Sequence, residues 1–110
     1  MILHICPRDA WATIVADGFL EADGFIHCSP ADWVHVVANR VFRGRDDLVL
    51  LEIDETGLPV VWEDGDPPEP DGRQFPHLYG RLPVSAVVAV HDYPPREDGS
   101  FPEWGRTRQQ

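Results

Sequence analysis

The chain has 110 residues, 43% of them hydrophobic, with 9 Lys+Arg against 19 Asp+Glu, a formal net charge of −10, 2 Cys and 5 His. That length holds one domain around one core, and the apolar fraction excludes a disordered chain. The apolar runs fall far short of the ~20 residues that span a bilayer, and the negative field repels a phosphate backbone, which argues against a membrane span and against broad nucleic-acid binding.

In chain order, Ile2 to Cys6 is short and β-compatible. After Pro7, Trp11, Ile14 and Val15 recur at helical spacing until Gly18 supplies a stop. Two Asp-Gly turns precede Phe25-Ile26-His27-Cys28, which reads as a second strand. Ser29 suits an N-cap, Pro30 the first helical position and Asp32 an approximate capping box, so a second helix is expected to begin there. Trp33, Val36, Val37 and Val41 form its expected apolar stripe, His35, Asn39 and Arg43 lie away from it, and Gly44 ends it.

Leu48 to Asp54 is too short for a helix and apolar enough for a buried central strand. Val60-Val61-Trp62 follows a Gly-Leu-Pro turn, and Glu63 to Gln74 gathers acid, Pro and Gly in an expected exposed loop, a solvated face or alternatively a substrate lid. Phe75 to Gly80 is a short β segment and Val84 to Val90 a strong one. Residues 94–110 are expected to lie irregularly over the domain and to fray after Trp104. The sum is about six short strands with two helices in the N-terminal half, an α+β domain.

Strand parity organises the chemistry. Ile2, His4 and Cys6 share one face, Phe25 and His27 another, and His77 shares one with Tyr79, so a single cleft is expected to collect His4, His27 and His77. If His4 and His27 face one cleft, Cys6 joins them while Cys28 points away. That excludes a regular His-Cys-Cys-His cage and disfavours a Cys6–Cys28 disulfide, and no metal is expected. The free backbone N–H groups of a helix beginning at Pro30 would suit a phosphate or carboxylate. Glu52, Asp54 and Glu63 read as solvated carboxylates, with lining of the cleft by one of them as the alternative. Every basic residue is an arginine, which removes lysine-based covalent chemistry. The residues after Met1 show neither a basic n-region nor a cleavage site, so a cytoplasmic location is expected, with two free thiols.

The strings Leu3-His4-Ile5 with Trp11, Asp23-Gly24-Phe25-Ile26-His27-Cys28-Ser29, Leu48 to Asp54 and Phe75-Pro76-His77-Leu78-Tyr79-Gly80 resemble, in the same order, the DUF952 family of small bacterial proteins over residues 1–93. That family in turn looks like a remote member of the ADP-ribosyltransferase-like fold, a split β-sheet core gripping NAD in its cleft. The resemblance implies NAD as substrate, with cleavage of its nicotinamide N-glycosidic bond. It implies His4 on a ribose hydroxyl, Ser29 near phosphate, Tyr79 stacked on a ring, and His27 and His77 as catalytic residues. His77 stands where such enzymes often carry a glutamate, and an imidazole stabilises an oxocarbenium-like state less directly than a carboxylate. The expected partner is a small-molecule nucleotide, with the acceptor of any ADP-ribose open. A non-catalytic small-molecule or peptide binding module using the same histidines is the alternative, and a purely structural domain would instead need an exposed apolar patch.

Overall fold

The computed structural model describes residues 1–105. Its elements are β1 (Ile2–Pro7), α1 (Arg8–Asp17), β2 (Phe19–Leu20), β3 (Ile26–His27), α2 (Val34–Val41), β4 (Leu48–Ile53), β5 (Val60–Asp64), β6 (Gln74–Leu78), β7 (Leu82–Pro83), a 3₁₀ turn (Val84–Ala86) and β8 (Val87–Asp92). The α+β class and both helices agree with the sequence reading, while the strands number eight among the described residues. The two extra are β2 and β7, paired only with each other and too short to leave a pattern in the sequence. The expected fraying past Trp104 falls on residues outside those described, apart from Gly105.

Every pairing is antiparallel, in two three-stranded sheets ordered β1-β4-β8 and β3-β6-β5. A single bridge joins them: Leu3 and Ser29 exchange backbone hydrogen bonds of 2.8 and 2.7 Å. The segment running through β3 to Ser29 therefore pairs first with β6 and then with β1. β4 is the central strand expected of Leu48 to Asp54, and its alternation between two cores explains why five of its six residues are apolar, Glu52 being the exception. Val49, Leu51 and Ile53 enter one core with Ile2, Cys6, Ile14, Ile26, Cys28 and Leu78. Leu48 and Leu50 enter a second core with Leu3, Ile5, Val34, Ala38, Tyr93 and Phe101. Each fully buried Leu contributes roughly 1.5–3 kcal/mol.

α1 covers the first core. It ends where Gly18 takes φ 89°, with its N–H donating to the Ile14 carbonyl, a left-handed cap that a side chain bearing Cβ adopts only at a cost. Ile14 is buried and Trp11 packs against the core, but Val15, placed on the same stripe from sequence, is exposed.

α2 covers the second core and departs from expectation in two ways. It begins at Val34, and Ser29 is not its cap, because the bridge to Leu3 uses both main-chain groups of Ser29. Non-local pairing has outcompeted a local capping signal. Its buried face is Val34 and Ala38, and of the expected stripe through Trp33, Val36, Val37 and Val41 it is Val37 that packs, half-buried, against the second core. Trp33 is covered by the Arg73 guanidinium at 4.0 Å, and Val41 is 66% exposed.

Residues 94–105 form neither helix nor strand, yet they complete the second core. Asn39 holds Phe101 by both its main-chain groups, at 3.2 and 2.7 Å, and the Tyr93 hydroxyl donates to the Pro102 carbonyl at 2.6 Å. A boundary after residue 93 thus runs through packed side chains. No helix among the described residues is long and apolar enough to cross a membrane.

Candidate functional site

The Leu3–Ser29 bridge fixes which side chains share a face. Opposed residues project to the same side of a sheet, so Leu3, Ile5, His27 and Ser29 lie on one side and Ile26, Cys28, His4 and Cys6 on the other. Across β3-β6-β5 the register places His27 opposite His77, Val61 opposite His77 and Glu63 opposite Phe75. His27, Val61, Glu63, Phe75 and His77 therefore share the outer face of this sheet, while Ile26 and Leu78 on its inner face enter the first core. α2 stands across from the outer face. Between them opens a cleft of about 700 Å³, walled by Phe25 and the strand residues His27, Glu63, Asp64, Phe75 and His77, by Val37, Arg40 and Val41 of α2, and by the loop after β5 through Gly65, Asp66, Pro67 and Glu69. Two of the three valines in the expected stripe, Val37 and Val41, line this cleft, Val37 while also packing against the second core.

Its floor is an aromatic cluster. The Phe25 ring is stacked on the His77 imidazole at 4.0 Å, with His27 at 4.6 Å and Tyr79 at 5.3 Å from Phe25. Ser29 and His77 are the two buried polar residues among those described, and both line the cleft. A buried imidazole without a partner is costly. Glu63 supplies the partner: His77 Nδ1–H donates to its Oε1 at 2.8 Å, and the Tyr79 hydroxyl donates to the same oxygen. These two bonds, that from Tyr79 first, hold the Glu63 carboxyl below the ordinary carboxylate range and push the Tyr79 phenol up. With Nδ1 committed, Nε2 is the His77 nitrogen that can exchange a proton with a ligand, and Oε2 of Glu63 is the oxygen left to one. His27 is driven below the ordinary histidine value by partial desolvation in the cleft wall, and further by the charge of His77.

His27, His77, Ser29 and Tyr79 are thus brought together, with Tyr79 at the margin through Glu63. His4 is not. It lies on the opposite face with Ile2 and Cys6, and its Nδ1–H donates to the His27 carbonyl at 2.7 Å. Burial lowers its pKa, opposed by that bond. The expectation of one cleft for three histidines is corrected here: parity orders the faces of one strand, but the bridge between sheets decides how two strands relate. The same register overturns the placement of Cys6 and Cys28 on opposite faces, for both enter the first core, as free thiols. Among the described residues no group of three or more His, Cys, Asp or Glu is arranged to hold a metal ion.

Glu63, read first as a solvated carboxylate with lining of the cleft as the alternative, takes that alternative. Its signal was its alternation with Val61, legible only once the pairing of β5 with β6 is known. The acidic loop that follows is part of the site: Asp64, Asp66 and Glu69 line the cleft with Glu63, and Glu69 is held by the Arg40 guanidinium through bonds of 2.6 and 3.2 Å.

A split pair of small antiparallel sheets with one helix on the inner core and another across an aromatic, histidine-bearing cleft defines a class of small α+β domain. The chain belongs to the family described as "Protein of unknown function (DUF952)", whose profile matches residues 5–90. The crystal structure of protein CC0527 from Caulobacter crescentus is similar, with 35% sequence identity, a TM-score of 0.80 and 92% of each chain covered. The solution NMR structure of CC0527 gives a TM-score of 0.77 at 35% identity, covering 91% of this chain and 90% of that one. No curated protein matches.

Proposed function

We propose that the cleft is a catalytic site for nucleotides that cleaves the nicotinamide N-glycosidic bond of NAD or a related compound. The observation that carries this reading is the Glu63 carboxylate, held by His77 and Tyr79 in the wall of an aromatic cleft. It supplies a carboxylate beside His77, which stands where enzymes of the resembled fold often carry a glutamate. Phe25 and Tyr79 offer faces to a planar base. As the bond from C1′ to the pyridinium nitrogen breaks, its electron pair stays on nitrogen and releases neutral nicotinamide. The positive charge left on the sugar faces Glu63, a fixed negative group in a partly dry site. Water then adds to C1′ and gives its proton to His77 Nε2, so that NAD and water yield ADP-ribose, nicotinamide and a proton. His4 is a positioning residue in this scheme, bracing the His27 main chain from behind.

The test is nicotinamide release from NAD by the full chain, with His77→Ala as comparison. Release by the unaltered chain that falls by about 10²-fold or more in the variant supports the reading. Absence of release, together with imidazole NMR signals unmoved by millimolar NAD, overturns it. Four carboxylates around the cleft favour a second reading, a binding module without turnover. It predicts saturable binding with no release, weakened alike by His27→Ala and His77→Ala.

A further inference from the structure

The cleft wall carries one arginine, Arg40, in the last turn of α2, amid Glu63, Asp64, Asp66 and Glu69. Its guanidinium meets Glu69 through two parallel bonds, Nη1 to Oε2 at 2.6 Å and Nη2 to Oε1 at 3.2 Å. Glu69 is 11% exposed in its side chain and Arg40 55%, so the carboxylate is tucked in while the cation stays open to the cleft. The paired approach of two oxygens to a planar guanidinium is the geometry by which arginine also takes a phosphate. Glu69 uses two of the five guanidinium donors. Among the described residues a diphosphate entering this cleft finds no other permanent cation on its walls, and the carboxylates there repel it.

We propose that Arg40 is the phosphate-recognition residue of the cleft, and that Glu69 occupies the phosphate position until a ligand replaces it. This rests on the reading of the cleft as a nucleotide site. Exchange of one anion for another leaves the guanidinium paired throughout, so the ligand competes with Glu69 and does not have to dehydrate a free cation. The loop carrying Glu69 keeps a second hold, through Arg73 over Trp33 at the N-cap of α2, so release of Glu69 does not free the loop. The substrate class that follows is a nucleoside bearing a diphosphate, in preference to the bare nucleoside.

Calorimetric titration of the full chain with ADP-ribose and with adenosine tests this, using Arg40→Gln, Glu69→Gln and, as a control of equal charge change on the same wall, Asp64→Asn. Arg40→Gln is expected to weaken ADP-ribose by about ten- to a hundredfold and to change adenosine by less than about twofold. Glu69→Gln is expected to tighten ADP-ribose well beyond Asp64→Asn, because only Glu69 competes for the guanidinium. Equal ADP-ribose affinity in Arg40→Gln and the unaltered chain overturns the assignment, as does equal tightening by Glu69→Gln and Asp64→Asn, which would reflect net charge alone. Should Arg40→Gln fail to fold, the comparison of the two carboxylate variants decides by itself. If the unaltered chain and Glu69→Gln bind neither ligand, the nucleotide reading fails and this proposal with it. If adenosine and ADP-ribose bind and only the Arg40 effects are missing, the nucleotide reading stands.

Discussion

His27 and His77 face each other across β3 and β6, their ring centroids 5.6 Å apart, with Phe25 packed against both. Two imidazoles so placed cannot both be protonated without mutual repulsion, and only His77 has a carboxylate to balance its charge.

Acidification is expected to destabilise the domain in a defined window. His4 and His27 have folded-state pKa values lowered by desolvation, so the unfolded chain takes up protons first, from about pH 6.5 downward. Their contribution is present above the unfolded pKa and is lost as pH falls toward the lowered folded values. Melting temperatures across pH 8 to 5 check this: the curve for His27→Gln should be flatter than that of the unaltered chain, and equal slopes would show that His27 is not titrating abnormally.

Glu63→Gln keeps an oxygen to accept from His77 and Tyr79 but removes the charge. The expected outcome is an unchanged fold by circular dichroism and nicotinamide release reduced by about 10²-fold or more. Full activity in this variant would deny the carboxylate its role.

Phe101→Ala tests whether the irregular C-terminal segment belongs to the fold. Phe101 is 1% exposed in the second core, so its truncation should cost about 3–5 kcal/mol in denaturant unfolding, a large share of the stability of a domain this size. A change of ~0.5 kcal/mol or less would make the segment an appendage.

Neither thiol should react in the native state. Burial pushes Cys6 up to about 11 and Cys28 to about 12, leaving thiolate fractions of roughly 10⁻⁴ and 10⁻⁵ at pH 7. A disulfide-exchange reagent is expected to label both only on unfolding, and rapid labelling of one with the fold intact would contradict the burial.

Much of this was legible in the residues, and what was not had a common cause. The strand at Leu48, the helix stop at Gly18, and the pairing of Phe25 with His27 and of His77 with Tyr79 on common faces follow from period and from local backbone chemistry, which act over a few residues. The mutual placement of those faces does not. One bridge, Leu3 to Ser29, turned His4 and Cys6 away from the cleft and took Ser29 from its expected cap. The register of β5 on β6 brought Glu63 beneath His77, and the packing of α2 on Phe101 left Val41 in the cleft wall and Val37 between cleft and core. The sequence by itself determined which residues alternate and where helices stop. Tertiary structure alone decided which faces meet, because pairings between residues far apart in the chain are chosen by the burial of the whole core and leave no periodic mark on either partner.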